Sequence, residues 1–256
     1  MAKGTERINR WWLFLAAAAL LSAAFLMKLL PVFAFVALAP LFALADGDGK
    51  NSNGWLNAEL ILFALAIGFF SSVLFDFSQL LKISLLAITF TLPFLGFSLV
   101  RGSLGPLTGH FLVILFWLAL EYLLVKIGLG RNVIFLADLL RLKDTWVSWN
   151  GHTGYLGASL WLLLVNWMVY KTFLQGKINW VFLPVAIALV AGTFWAANNY
   201  PVELVTRDQM ITLYDGGKTL PEQYLQRGEW VVRTAAWVSV LVILFALVRS
   251  RTKKKS

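Results

Sequence analysis

The sequence predicts an all-α, polytopic integral membrane protein with about eight transmembrane helices, and three observations predict it. Of its 256 residues, 59% are hydrophobic and only 14% are charged, against roughly 25% charged in an ordinary soluble domain. Nearly every part of the chain lies in or beside an apolar run of membrane-spanning length, roughly 17–25 residues. These runs are continuous, whereas barrel strands alternate apolar and polar residues in segments of about ten. The chain is therefore expected to form a single transmembrane domain over residues 1–256.

The start of the chain is basic (Lys3, Arg7, Arg10). Trp11 and Trp12 mark an interface, and the first span runs to about residue 30. Its apolar stretch is longer than a signal h-region and more spans follow, so it is expected to stay uncleaved. Pro31 opens a second run of about fifteen residues, short enough to span obliquely or to be re-entrant. The polar stretch DGDGKNSNG that follows reads as a flexible connector. Its acidic spacing resembles a calcium loop but lacks the ninth-position ligand and the closing Glu.

The third and fourth spans fall at about 57–75 and 81–100, and Pro93 sits inside the fourth, where it should kink the helix. The fifth, sixth, seventh and eighth fall at about 107–126, 155–171, 180–197 and 230–248. Two long polar loops, 127–154 and 198–229, interrupt this second half. An even number of spans places both termini on one side. The inner segments carry the excess of Lys and Arg, so that side is expected to be cytoplasmic and both long loops extracytoplasmic.

Composition excludes several classes of function. There is no cysteine, hence no disulfide, no thiolate nucleophile and no Cys-ligated metal. Two histidines cannot build a histidine-rich metal centre, and no cofactor is implied. The net charge of +9 is concentrated at helix ends, which points to orientation and attraction to anionic lipid rather than to nucleic acid. The KKKS sequence also fits an ER-retrieval pattern, but a stop-transfer flank explains it more simply. No internal repeat is evident, which argues against an inverted-repeat transporter.

Two neighbouring spans each carry one buried polar residue. WLALEYL (117–123) contains Glu121, and an intramembrane carboxylate is costly without a partner or a cavity. It either positions a lipid head group or a catalytic loop, or pairs with Arg233, which enters the eighth span at similar depth. His110, Ile114, Trp117 and Glu121 share one helix face. The eleven-residue separation of His110 and Glu121 corresponds to roughly 16 Å along the helix, too far for an acid–base pair. His110 and His152 fall at opposite ends of the membrane and cannot share a metal.

Asn166 shares a stripe with Tyr155, Ser159 and Leu162, placed for an interhelical hydrogen bond or for substrate contact. Trp146, Trp149, Trp161 and Trp167 form an interfacial belt or the lining of an acyl-chain groove. The candidates for lipid or partner binding are Glu121, Trp146, Trp149, His152, Asn166 and Arg233. No catalytic or metal-ligating set emerges.

WLALEYL, a long outer loop and then WNGHTGYLGASLWLLLVN (149–166) resemble, in that order, the membrane region of bacterial apolipoprotein N-acyltransferase, especially the forms from Bacteroidota. PVFAFVALAPLFAL (31–44) is similar to that family's proline-bracketed second helix. TLYDGGKTLPEQYLQRGEWVVRTAAW (212–237), with Tyr224, Gly228, Glu229, Trp230 and Arg233, resembles the junction where the family's extracytoplasmic domain returns into its last helix. The resemblance covers most of the chain and implies a location in the bacterial inner membrane, with phospholipid and lipoprotein or other membrane-complex subunits as partners.

Family members insert a nitrilase-like domain between the last two spans. Its Glu–Lys–Cys triad moves an acyl chain from phospholipid to a lipoprotein through a thioester. Here the corresponding region is only 198–229, there is no Cys, and no triad residue carries over. The family's segment after the buried Glu is also replaced, by GRNVIFLADLLRLKDTW (130–146). The expectation is a non-catalytic relative that binds lipid or lipoprotein or serves in a membrane complex. The alternative is the membrane half of a split acyltransferase whose nitrilase-like domain is a separate or deleted chain.

Overall fold

A computed structural model of the chain describes residues 9–27, 31–47, 54–140, 150–175, 179–199, 205–214 and 228–253. The regular structure among them is helical, with no strand. The helices are α1 (Arg10–Leu26), α2 (Ala39–Asp46), α3 (Gly54–Ser72), α4 (Leu80–Leu104), α5 (Pro106–Lys126), α6 (Asn150–Thr153), α7 (Gly157–Val169), α8 (Phe182–Asn199), α9 (Arg207–Tyr214) and α10 (Glu229–Lys253). Trp146 and Trp149 lie outside the described residues.

Among the described residues, three stretches are long and apolar enough to cross a membrane: Phe77–Leu104, Pro106–Lys126 and Glu229–Thr252. Eight spans of that kind are not found among them. Four further apolar helices, Arg10–Leu26, Val32–Asp46, Leu56–Ser72 and Phe182–Thr193, are shorter. The sixth expected span, 155–171, is the α-helix Gly157–Val169 continued by a π-helical turn, Tyr170–Leu174. Gly154, at φ +75°, separates it from the single turn of α6.

The described residues gather into two compact units, and each is taken by itself. The first comprises residues 1–91 and 163–192. Here α1 packs on α3 and on α2, and α2 packs on α3 and on the π-helical turn. A Cβ at Gly68 of α3 would lie 2.7 Å from Leu21 Cβ, so only a hydrogen there lets α1 come this close. The rings of Phe25, Phe69 and Phe90 meet in series at tilted angles, with centroids 5.9 and 5.8 Å apart. Between α3 and α4 the chain turns through Leu74 and Phe75, both at positive φ. Asp76 then caps the next turn by accepting from the Ser78 hydroxyl and amide, which hold its carboxyl below the ordinary carboxylate range.

The second unit comprises residues 92–162 and 193–256. Its frame is α5, packed along α10 and touched by α9 and by the 3₁₀ turn Gly130–Asn132. Near one end, Val100, Leu112 and Ala246 form a buried cluster with Leu104, Phe116, Val242 and Ile243 around it. His110 is fully buried against Phe97, with ring centroids 4.8 Å apart.

Candidate functional site

In the second unit the polar chemistry collects where α5 meets the segment that follows it. Glu121 is fully buried on α5. Its Oε1 accepts from the Trp117 indole at 3.1 Å, one turn earlier, and from the Leu136 amide at 2.8 Å. Leu136 opens the 3₁₀ turn Leu136–Leu140, so the carboxylate caps that turn, where amides have no partner of their own. Ser159 of α7 takes the next amide, Ala137, at 3.0 Å and also hydrogen-bonds toward Glu121. Asp138 takes the Phe135 amide at 2.9 Å. Three side chains thus satisfy three successive amides of one short segment.

Asp138 continues outward. It accepts from the Tyr155 hydroxyl at 2.5 Å and from Arg207 Nη1 at 2.8 Å. Arg207 Nη2 donates to the carbonyls of Val133 at 2.5 Å and Gly130 at 3.1 Å. Its guanidinium also lies over the Phe135 ring, 5.1 Å from the centroid. Asn150 exchanges two hydrogen bonds with Val205, at 2.9 and 3.1 Å. Gly228, at φ +77°, lies so close to Thr153 and Gly154 that a Cβ would fall 2.0 Å from the Thr153 carbonyl carbon. The described parts of the two long loops are therefore bound to each other at three places.

The expected ion pair between Glu121 and Arg233 is not formed. Arg233 is exposed on α10, whereas Glu121 is fully buried among the groups just named. Sequence depth placed both residues near the same end of their helices but could not fix the rotation of α10 about its axis. The polar tie between α5 and α10 runs instead through buried Glu229, which accepts from the Tyr122 hydroxyl at 2.7 Å and pairs with Lys126 at 3.4 Å.

In the first unit Asn166 is fully buried on α7. Its Oδ1 accepts from the amides of Leu38 and Ala39 at 2.7 and 3.1 Å, and its Nδ2 donates to the Ala34 carbonyl at 2.7 Å. Those groups flank the break between the 3₁₀ turn Pro31–Phe35 and α2. A break between helices leaves backbone groups without intrahelical partners, and Asn166 satisfies three of them from 127–132 residues away. One turn on, the Tyr170 hydroxyl donates to Asp46, and the Tyr170 ring stacks on Phe42.

Of the sequence-predicted candidates, then, Glu121 and Asn166 are buried and bonded to backbone in separate units, and His152 and Arg233 are exposed. Asp138, Arg207, Asn150 and Glu229 form the remainder of the network, and sequence reasoning missed them because each meets a partner far along the chain. Among the described residues no group of three or more His, Cys, Asp or Glu could hold a metal. In comparison with known proteins, the chain matches no family model, no curated protein and no solved structure.

Proposed function

We propose that this chain is a non-catalytic, multi-pass membrane protein built like the membrane region of apolipoprotein N-acyltransferase, which binds phospholipid or a lipidated protein or serves as a subunit of a membrane complex. It resides in a bacterial inner membrane with eight passes: the three long stretches, the four shorter apolar helices and α7 with its π-helical turn. Both termini are cytoplasmic, and loops 127–154 and 198–229 are extracytoplasmic. The observation that carries the reading is the use made of the two buried polar residues. Glu121 and Asn166 are committed to backbone groups of their own chain, so they shape a scaffold. A general acid or base has to reach a reacting group, and Glu121 is enclosed. A thioester route needs a cysteine, which this sequence lacks.

The test uses the full chain purified in mild detergent and incubated with phospholipid and a diacylated lipopeptide. The expected outcome is no triacylated product, together with phospholipid or a membrane protein retained through purification. Triacylated product from the chain alone would overturn the reading. Activity gained on adding a co-purifying nitrilase-type chain would replace it with the split enzyme.

A further inference from the structure

The second unit has a chemically one-sided end. Val100, Leu112 and Ala246 meet in one buried cluster, which brings the C-terminal end of α4, the N-terminal part of α5 and the C-terminal part of α10 to the same level. Arg101 follows Val100 directly and is partly exposed, with its guanidinium 5.7 Å from the Phe97 ring centroid. Arg249 lies three residues beyond Ala246, and Arg249 and Arg251 are both exposed on the continuing helix. Lys253, Lys254 and Lys255 come next in the sequence. Neither 77–120 nor 230–256 contains an Asp or Glu.

The other end of α10 is different in kind. Glu229 opens the helix, is buried, accepts from the Tyr122 hydroxyl and pairs with Lys126. Twenty residues separate Glu229 from Arg249, about 30 Å at 1.5 Å per residue, which is one hydrocarbon thickness. Between them the helix exposes Trp237, Leu241, Leu244, Phe245 and Val248. If that apolar stretch crosses the bilayer, Arg249 and Arg251 emerge at head-group depth. Guanidinium groups there match phosphate oxygens in charge and in fork geometry, and juxtamembrane cations of this kind attract anionic lipid.

We propose that this end of the unit docks the head groups of anionic phospholipid, with Arg249 and Arg251 as the contact cations and Arg101 at the same end. The proposal rests on the membrane reading given above and adds the lipid class and its site. The full chain is reconstituted in phosphatidylcholine vesicles, and its relative association with spin-labelled phosphatidylglycerol and spin-labelled phosphatidylcholine is read from the motion-restricted lipid signal. The expected result is a severalfold preference for phosphatidylglycerol. It should fall to near parity in Arg249→Gln/Arg251→Gln and in high salt, and persist in Arg249→Lys/Arg251→Lys. Both arginines are exposed, so an unchanged melting temperature in detergent will show that the Gln variant is folded. Equal association of both lipids with the native chain would overturn the proposal, as would a preference untouched by the Gln substitutions. Absence of any motion-restricted signal with either lipid would overturn the membrane reading itself, and this proposal with it.

Discussion

Trp117 and Leu136 both donate into one oxygen of Glu121, and no solvent reaches the group. What stabilises the site is therefore an acceptor at that point, rather than a charge facing Arg233. Each buried donor left without an acceptor costs about 1–3 kcal/mol. Glu121→Gln keeps an acceptor oxygen and should lower stability in detergent only modestly. Glu121→Ala orphans two donors and should cost several kcal/mol. Arg233→Gln, at an exposed position, should fall within about 0.5 kcal/mol of the native chain, and its effect should add to that of Glu121→Ala. Denaturant unfolding of the native chain, the three single variants and the Glu121→Ala/Arg233→Gln double variant decides this. Recovery of the Glu121→Ala loss by Arg233→Gln would restore the ion pair.

The elements around Glu121 are joined by contacts that pattern alone does not reveal. Apolar runs, the proline-opened second run and the buried position of Glu121 and Asn166 were all legible, because each follows from local composition and hydropathy. Partners were not. Asn166 meets backbone 127–132 residues away, and Arg207 meets carbonyls 74–77 residues away. Which way a helix faces depends on the whole packing. The π-helical turn that ends the sixth run and the break inside the second, capped by a remote asparagine, were likewise hidden. Gly228 tests the loop junction as an element. An alanine there has both an unfavourable φ and a Cβ against rigid backbone of Thr153 and Gly154. Gly228→Ala should lower the melting temperature in detergent and speed proteolysis of the loops. Gly102→Ala, inside α4 with nothing within 4 Å of the new Cβ, should be neutral or slightly stabilising. Equal behaviour of the two variants would show that the junction is not a tight contact.

At the scale of the whole molecule, orientation follows from the ends of α5 and α10. The end of the second unit that carries Arg101, Arg249 and Arg251 should face the cytoplasm by the positive-inside rule. Asn132, in the 3₁₀ turn that follows α5, should then be outside, because α5 runs from the Arg101 end toward that turn. Asn132 and Thr252 are both exposed, and the native chain has no cysteine to complicate labelling. Single-cysteine chains Asn132→Cys and Thr252→Cys, treated as intact spheroplasts with an impermeant maleimide, should give labelling of the first only. Permeabilisation should then open the second. The reverse pattern would invert the orientation and move the proposed lipid site to the outer leaflet. Equal labelling of both in intact spheroplasts would mean that α5 and α10 do not carry the chain across the membrane.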